Sequence, residues 1–266
     1  MRDEALAERI QQHTWFHSFD FGDGLVAKGV KSLELLSSEW DSLQLPDLRG
    51  RSVLDIGAWD GWFSYRAEAQ GASRVVAVDH YAWAMDNDAQ AEYWNRCHRE
   101  GVPPEAYDRV PDLWDTKRLP GRRGFDIAHD VLSSRVEAVL ADIPDISRDA
   151  LGSFDVVLFL GVLYHLENPL LALRRLVDVT TEFCVIETVC LVLPGHEDHA
   201  LWELFGADEL DGDPSNWWAG NAKGIESMCL AAGFREVEFL ARPSETAIPA
   251  PGYDYHYGRA RLRAYR

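Results

Sequence analysis

The stretch Val53-Leu54-Asp55-Ile56-Gly57-Ala58-Trp59-Asp60-Gly61 is followed by Val76-Ala77-Val78-Asp79. This reads as a buried strand, a tight glycine turn, a helix and a second buried strand that ends in a carboxylate. Such an arrangement binds a nucleoside with a polar group on its ribose. Gly57 lets the backbone turn sharply and leaves room for a ligand. Gly61 lets the following helix start close to the strand, and the helix N-terminus offers unpaired N–H groups. Asp79 lies roughly twenty residues past the glycines, where a carboxylate accepts hydrogen bonds from both ribose hydroxyls. An enzyme with a nucleoside cofactor is expected.

The rest of the chain extends this pattern. Residues 4–12 have a helical pattern with Leu6 and Ile10 on one face. Trp15 to Gly24 mixes aromatics with turn formers, which suits a loop folded over a ligand. Residues 33–43 read as a helix, and Pro46 breaks the chain. Strands are expected at 52–56, 74–78, 136–140, 154–160, 183–189, 236–241 and 258–265, and helices at 62–70, 88–99, 125–132, 170–177 and 223–232. Gly71 and Gly233 read as helix stops. Two polar, aromatic insertions, 80–124 and 193–222, interrupt the alternation.

Alternating strands and helices with apolar strands predict a parallel sheet covered on both faces. No helix signal separates 236–241 from 258–265, so the last strand is expected to return antiparallel. The expected architecture is α/β and Rossmann-like: a seven-stranded, mostly parallel sheet with an antiparallel last strand and helices on both faces. A helical and aromatic lid over 1–48 precedes a catalytic domain over 49–266.

A formal net charge of -18 over 266 residues makes a phosphate backbone a poor partner. The densest basic segments are Lys117-Arg118 with Arg122-Arg123, and Arg259, Arg261, Arg263 and Arg266, which alternate as one face of a strand would. Nucleic acid is therefore disfavoured and a small-molecule substrate favoured. Met1-Arg2-Asp3-Glu4 is charged at once, unlike a signal peptide. The longest apolar run, 156–163, is too short to span a bilayer. Cys97, Cys184, Cys190 and Cys229 have no metal-type spacing and read as reduced core thiols. A cytoplasmic enzyme is expected, with its oligomeric state unspecified. His196-Glu197-Asp198-His199 could in principle hold a divalent ion, but it sits in a polar loop and is read as solvated, so no metal is expected.

Trp59 stands where the dinucleotide fingerprint needs its second glycine, which argues against NAD or FAD. Asp55 would meet a pyrophosphate as a second anion at short range. It suits a cofactor with a cationic end, and S-adenosylmethionine carries both an ammonium and a sulfonium.

Four stretches carry a family resemblance: Leu45-Pro46-Asp47-Leu48-Arg49-Gly50-Arg51-Ser52-Val53-Leu54-Asp55-Ile56-Gly57, then Gly61-Trp62-Phe63-Ser64, then Gly161-Val162-Leu163-Tyr164-His165-Leu166-Glu167-Asn168-Pro169-Leu170, and Asn216-Trp217-Trp218. The chain resembles class I S-adenosylmethionine-dependent methyltransferases. Within them it is similar to the tRNA wobble-uridine methyltransferase-like family, which also includes small-molecule enzymes. The resemblance implies that Gly57 and its neighbours Asp55, Ala58, Trp59 and Gly61 approach the methionine and ribose. It places Asp79, with His80 beside it, at the ribose hydroxyls, Asp142 and Ile143 at the adenine, and Leu160 and Gly161 at the methionine moiety. The founding member transfers a carboxymethyl group from carboxy-S-adenosylmethionine to tRNA. Tyr164 and Arg259 could read that extra carboxylate. Where a basic N-terminal cluster would stand, this chain has Trp15-Phe16-His17-Ser18.

His165, just after the fourth strand, is the candidate general base, with His17 and Glu187 as rivals. Alignment of the two reactants could supply most of the rate without a base. Trp15, Phe16, Tyr164, Asn216, Trp217 and Trp218 are candidate substrate contacts, with Trp202 and Asp213 nearby in sequence. The predicted reaction is methyl transfer to an oxygen, less readily a nitrogen, of a small metabolite such as a natural product or sugar. The alternatives are a tRNA-modifying enzyme with either cofactor, an NAD-dependent oxidoreductase, and a non-catalytic partner subunit.

Overall fold

Strands form where apolar, largely β-branched residues run together, and helices where amphipathic segments follow a capping residue. The computed structural model describes residues 2–206, 208–241, 248–249 and 255–266. The chain divides into two units, one of residues 1–102 and 106–140, the other of 103–105 and 141–266.

The first unit begins with α1 (Arg2–Gln12) and four short strands, β1 (Trp15–His17), β2 (Phe19–Asp20), β3 (Val26–Ala27) and β4 (Gly29–Lys31). β1 pairs parallel with β4, and β2 antiparallel with β3. The aromatic segment expected to be a loop is thus built of two small ladders, too short to show a period of two in the sequence. Ser32 caps α2 (Leu33–Ser42), accepting the Leu35 N–H at 3.2 Å. Then come β5 (Ser52–Ile56), α3 (Trp62–Ala69), β6 (Arg74–Asp79), α4 (Tyr81–Ala84), α5 (Asn87–Glu100), α6 (Arg123–Leu132) and β7 (Glu137–Leu140). β6 lies parallel to β5 on one side and to β7 on the other. Val53, Leu54, Val76, Ala77, Trp83 and Phe125 fill the interior around them.

The second unit runs through α7 (Arg148–Leu151), β8 (Phe154–Leu160), α8 (Pro169–Val179), β9 (Thr180–Val192), β10 (Trp202–Leu204), β11 (Trp218–Asn221), α9 (Ala222–Ala232), β12 (Glu236–Ala241), β13 (Ile248–Pro249) and β14 (His256–Tyr265). β8 and β9 are parallel. β14 is antiparallel, as expected, and lies between β9 and β12, pairing with both. Ala260, Leu262 and Ala264 on one face of β14 are fully buried, while the arginines alternate on the other. The mostly parallel sheet with an antiparallel C-terminal strand is the α/β class expected from the sequence.

The insertion 193–222 contains two strands. β11 extends the sheet beside the tail of β9, with Gly220 opposite Cys190, and β10 pairs antiparallel with β11. These strands are short and rich in Trp, Gly and Asn, so they carry no alternating signal. Much of the loop expected between 241 and 258 lies outside the described residues.

All four cysteines are free and buried, and burial pushes the Cys190 and Cys229 thiols up to about 12. Among the described residues no helix is long and apolar enough to cross a membrane.

Candidate functional site

In the first unit, the turn after β5 needs left-handed backbone at three positions. Gly57 has φ 81° and Gly61 has φ 83°. The Gly57 N–H donates to the Val78 carbonyl at 2.8 Å, and the Gly61 N–H to that of Ala58 at 2.7 Å. A Cβ on Gly61 would sit 2.6 Å from the Phe125 ring, so this glycine is required by both conformation and space. Between them Trp59 holds φ 48°, a conformation most side chains avoid. Three contacts keep it there. Its N–H donates to Asp79 Oδ2 at 2.9 Å, and its carbonyl accepts from Trp83 Nε1 at 2.7 Å. Its ring stacks on Phe16 at 3.9 Å and 7°. A tryptophan therefore serves at a glycine position because its neighbours hold the strained turn.

Asp79 ends β6 and is 5% exposed. Its Oδ1 accepts the N–H groups of Ala82 at 2.9 Å and Trp83 at 3.3 Å. Burial raises its pKa, against the pull of the backbone donors from Trp59, Trp83, Ala82 and His80. Four backbone donors meet a carboxylate with about four lone-pair sites, so a ribose hydroxyl would share these acceptor oxygens. Asp55 is also buried, and its Oδ2 accepts from Ser64 Oγ at 2.6 Å. Burial pushes its pKa up to about 7, Ser64 lowering it and the Asp79 charge raising it. A buried carboxyl held short of full ionisation is an environment that a cation would relieve. The residues present therefore fit a cofactor with a diol and a cationic end. Ala58 is buried in the turn, and the His80 ring stands edge-on to Trp114 at 5.0 Å.

The N-terminal candidates separate. Trp15 is buried, its Nε1 donates to the Ile10 carbonyl at 2.9 Å, and its ring packs on His13, Phe19 and Phe21. It is a core residue, where a substrate contact was expected. Burial pushes the His17 pKa down to about 4, with Asp60 opposing and Lys31 reinforcing. The ring is neutral at neutral pH, and its Nδ1 is buried without a hydrogen-bond partner among the described residues. Phe16 is the N-terminal aromatic set against the glycine turn. Sequence reasoning missed Asp60, whose buried Oδ2 accepts the N–H groups of Phe16 at 2.8 Å and His17 at 2.9 Å. An aspartate next to a helix-starting glycine reads as a cap, so no local signal reveals this tether.

In the second unit, β8 ends at Leu160, opposite Glu187 on β9. Gly161 follows with φ 73°, and its N–H donates to the Glu187 carbonyl at 3.0 Å. A Cβ there would lie 3.7 Å from Glu187 Oε2 and 3.9 Å from the Tyr164 hydroxyl. Arg259 Nε is 3.6 Å from Glu187 Oε1, and its guanidinium lies 4.9 Å over the Tyr164 ring. The Glu187 charge thus faces a cation, which weakens its case as a base. Burial raises the Tyr164 pKa, with Arg259 opposing.

The His165 ring lies against that of Tyr164, with centroids 4.0 Å apart and the planes inclined by 40°. Its Nδ1 is 2.9 Å from Ser215 Oγ and 3.1 Å from the Ser215 carbonyl oxygen. Burial lowers its pKa, with Asp213 and Ser215 opposing and Arg259 reinforcing, so the ring is held neutral. The Trp217 N–H donates to the Tyr164 carbonyl at 2.8 Å, and Trp218 Nε1 to that of Glu167 at 3.4 Å. Asn216 is buried, with Nδ2 on the Leu210 carbonyl at 2.8 Å and Oδ1 without a partner among the described residues. The structure thus draws Tyr164, His165, Asn216, Trp217 and Trp218 onto two touching segments. Asp142 spends Oδ1 on the Ile143 N–H at 2.7 Å, capping its own turn. His196 and His199 lie with ring centroids 6.1 Å apart, and no cluster of three or more metal-binding side chains occurs among the described residues.

Comparison with known proteins adds four findings. A family model described as "Methyltransferase domain" matches residues 33–238. The chain is 30% identical to the ribosomal protein L11 methyltransferase of Phocaeicola vulgatus over 119 residues, covering 45% of this chain and 38% of that protein. It is 28% identical to the tRNA U34 carboxymethyltransferase of Shewanella loihica over 204 residues, covering 75% of this chain and 49% of that protein. The chain thus spans half or less of these relatives' length. Among solved structures, the N-terminal domain of EvdMO1, crystallised with SAH and D-fucose, superposes with a TM-score of 0.61 over 99% of this chain and 96% of that one, at 15% identity. That likeness concerns the fold.

Proposed function

Because this chain belongs to the methyltransferase domain family, we propose that it transfers a methyl group from S-adenosylmethionine to a hydroxyl oxygen of a small polar metabolite, such as a sugar or a glycosylated natural product. When bound, the cofactor supplies a methyl group already activated on a sulfonium. Asp79 accepts hydrogen bonds from its ribose hydroxyls, with His80 beside it, and Asp55 faces its cationic end. The backbone of Gly57, Ala58, Trp59 and Gly61 provides the turn against which it lies. Asp142 and Ile143 serve the adenine, and Leu160 and Gly161 the methionine moiety. Residues 1–48 cover this region as a lid through Phe16. Trp217, Trp218 and Tyr164 offer flat faces to the acceptor, and the Asn216 amide oxygen offers a hydroxyl its partner. His165 takes the proton.

The observation that carries the oxygen-acceptor reading is the neutral imidazole of His165 beside the Tyr164 ring, just past the carboxyl end of β8. A neutral histidine accepts a hydroxyl proton near neutral pH. The test is incubation with S-adenosylmethionine and a panel of sugars and glycosides. The panel begins with 6-deoxyhexoses, because the fold neighbour was crystallised with D-fucose. Mass spectrometry should find a product heavier by one methyl group, together with S-adenosylhomocysteine. Absence of both across the panel would refute the reading.

A second reading, carboxymethyl transfer to tRNA, draws on the guanidinium of Arg259 over Tyr164. Carboxy-S-adenosylmethionine with unmodified tRNA, run in parallel, separates the two.

A further inference from the structure

We infer that Ser215 and Asp213 are positioning residues that lock His165 in the tautomer with its proton on Nδ1, leaving Nε2 bare to receive the acceptor's proton. The inference rests on the methyl-transfer reading and names the machinery behind its base.

The argument follows from donor counting. His165 Nδ1 faces two oxygens, Ser215 Oγ at 2.9 Å and the Ser215 carbonyl at 3.1 Å. A carbonyl only accepts, so that contact needs a proton on Nδ1. The Ser215 hydroxyl has one hydrogen, and it points to Asp213 Oδ1 at 2.7 Å. That hydroxyl can then only accept from Nδ1. Both contacts therefore demand the same tautomer, and a neutral ring so protonated carries its lone pair on Nε2. Asp213 also takes the Ser215 backbone N–H at 2.9 Å, closing a turn that fixes the serine. The Trp217 N–H on the Tyr164 carbonyl holds this turn in register with the histidine segment. The charged and titratable groups that face the imidazole are Asp213, Arg259 and Tyr164, and Arg259 in turn faces Glu187.

In the step itself, the acceptor oxygen forms its bond to the methyl carbon while its O–H bond breaks. The proton passes to Nε2. The carbon–sulfur bond breaks with its electron pair going to sulfur, which becomes a neutral thioether. His165 later returns the proton to solvent.

The test starts without substrate. Long-range ¹H–¹⁵N correlation spectra of the ¹⁵N-labelled full chain report which ring nitrogen bears the proton, with His165 assigned by its loss in His165→Gln. A pyrrole-type Nδ1 and a pyridine-type Nε2 are expected, and the reverse pattern overturns the inference. Ser215→Ala should mix the tautomers and lower kcat about tenfold to a hundredfold, with the KM for S-adenosylmethionine unchanged. Asp213→Asn keeps an amide oxygen for Ser215 but removes a negative charge facing the ring. The acid limb of its pH–rate profile should therefore move to lower pH. Ser215→Thr, which keeps the hydroxyl, should restore the wild-type rate. An unaltered tautomer in Ser215→Ala, or an unaltered pH profile in Asp213→Asn, would overturn the assignment. A wild-type protein that methylates nothing would instead sink the methyl-transfer reading, and the spectra distinguish the two failures.

Discussion

Asp60 and Phe16 are joined by a part-buried hydrogen bond, the carboxylate accepting the Phe16 N–H at 2.8 Å and, through the same oxygen, the His17 N–H at 2.9 Å. This bond ties the N-terminal ladder to the glycine turn and sets the Phe16 ring on Trp59. Asp60→Ala would strand two backbone donors in the interior. A loss of about 2–4 kcal/mol in unfolding free energy is expected by urea denaturation. S-adenosylhomocysteine affinity, read by calorimetry, should fall as the Phe16–Trp59 stack loosens. Asp60→Asn keeps an acceptor and should cost less; equal losses would show that the acceptor oxygen is not what matters.

Gly61 meets two demands at once. An alanine there would carry φ near 83° and push a methyl group to 2.6 Å from the Phe125 ring. Gly61→Ala should therefore cost about 2–4 kcal/mol. Thermal melting would reveal a variant as stable as the parent if the ring could simply step aside.

For Asp79 the expected loss is in binding. Removing the side chain takes away a charged acceptor for the ribose diol as well as the anchor of Trp59. S-adenosylhomocysteine should bind Asp79→Ala about tenfold to a hundredfold more weakly. Unchanged affinity would mean that the diol lies elsewhere.

Asp55 links stability to pH. Its carboxyl, near 3.8 in an unfolded chain, rises to about 7 in the fold through burial. A carboxyl raised in this way favours the folded state while protonated. Its contribution is fully present below about pH 4 and is lost as pH rises through about 7. The ligand-free protein should lose stability on the order of a few kcal/mol across that window, and the raised pKa of Asp79 acts in the same direction. Asp55→Asn, which can still accept from Ser64, should flatten the dependence. A cationic ligand end would draw the proton off, so binding of S-adenosylhomocysteine near pH 6.5 should release protons. Calorimetry in buffers of different ionisation enthalpy measures that release, and no dependence on buffer would disconnect Asp55 from the ligand.

The β5–α3–β6 unit, with Asp79 at its end, was legible from residue order alone. So were the boundaries of β12 and the antiparallel sense of β14. These rest on local rules: apolar periodicity, glycine where the backbone must turn, and the absence of a crossover helix. The sequence marked His165 as a candidate base, and Tyr164, Asn216, Trp217 and Trp218 among the candidate substrate contacts; that their segments touch is decided by the fold.

Other features required the folded chain. Nothing in the residues 256–265 says that they insert between β9 and β12, because an alternating strand can pair on either edge. Trp15 looked like a ligand contact because aromatics among turn formers are ambiguous; its indole N–H finds Ile10 only in the folded segment. Asp60 meets Phe16 across 44 residues, and Ser215 meets His165 across 50. The amino-acid order alone set the αβ framework and the carboxylate at the end of β6, since those depend on neighbours within a helical turn or a strand. The tertiary structure chose which buried polar atoms meet and hence which oxygens fix the His165 ring. A hydrogen-bond partner distant in sequence is selected by packing and leaves no trace in local pattern.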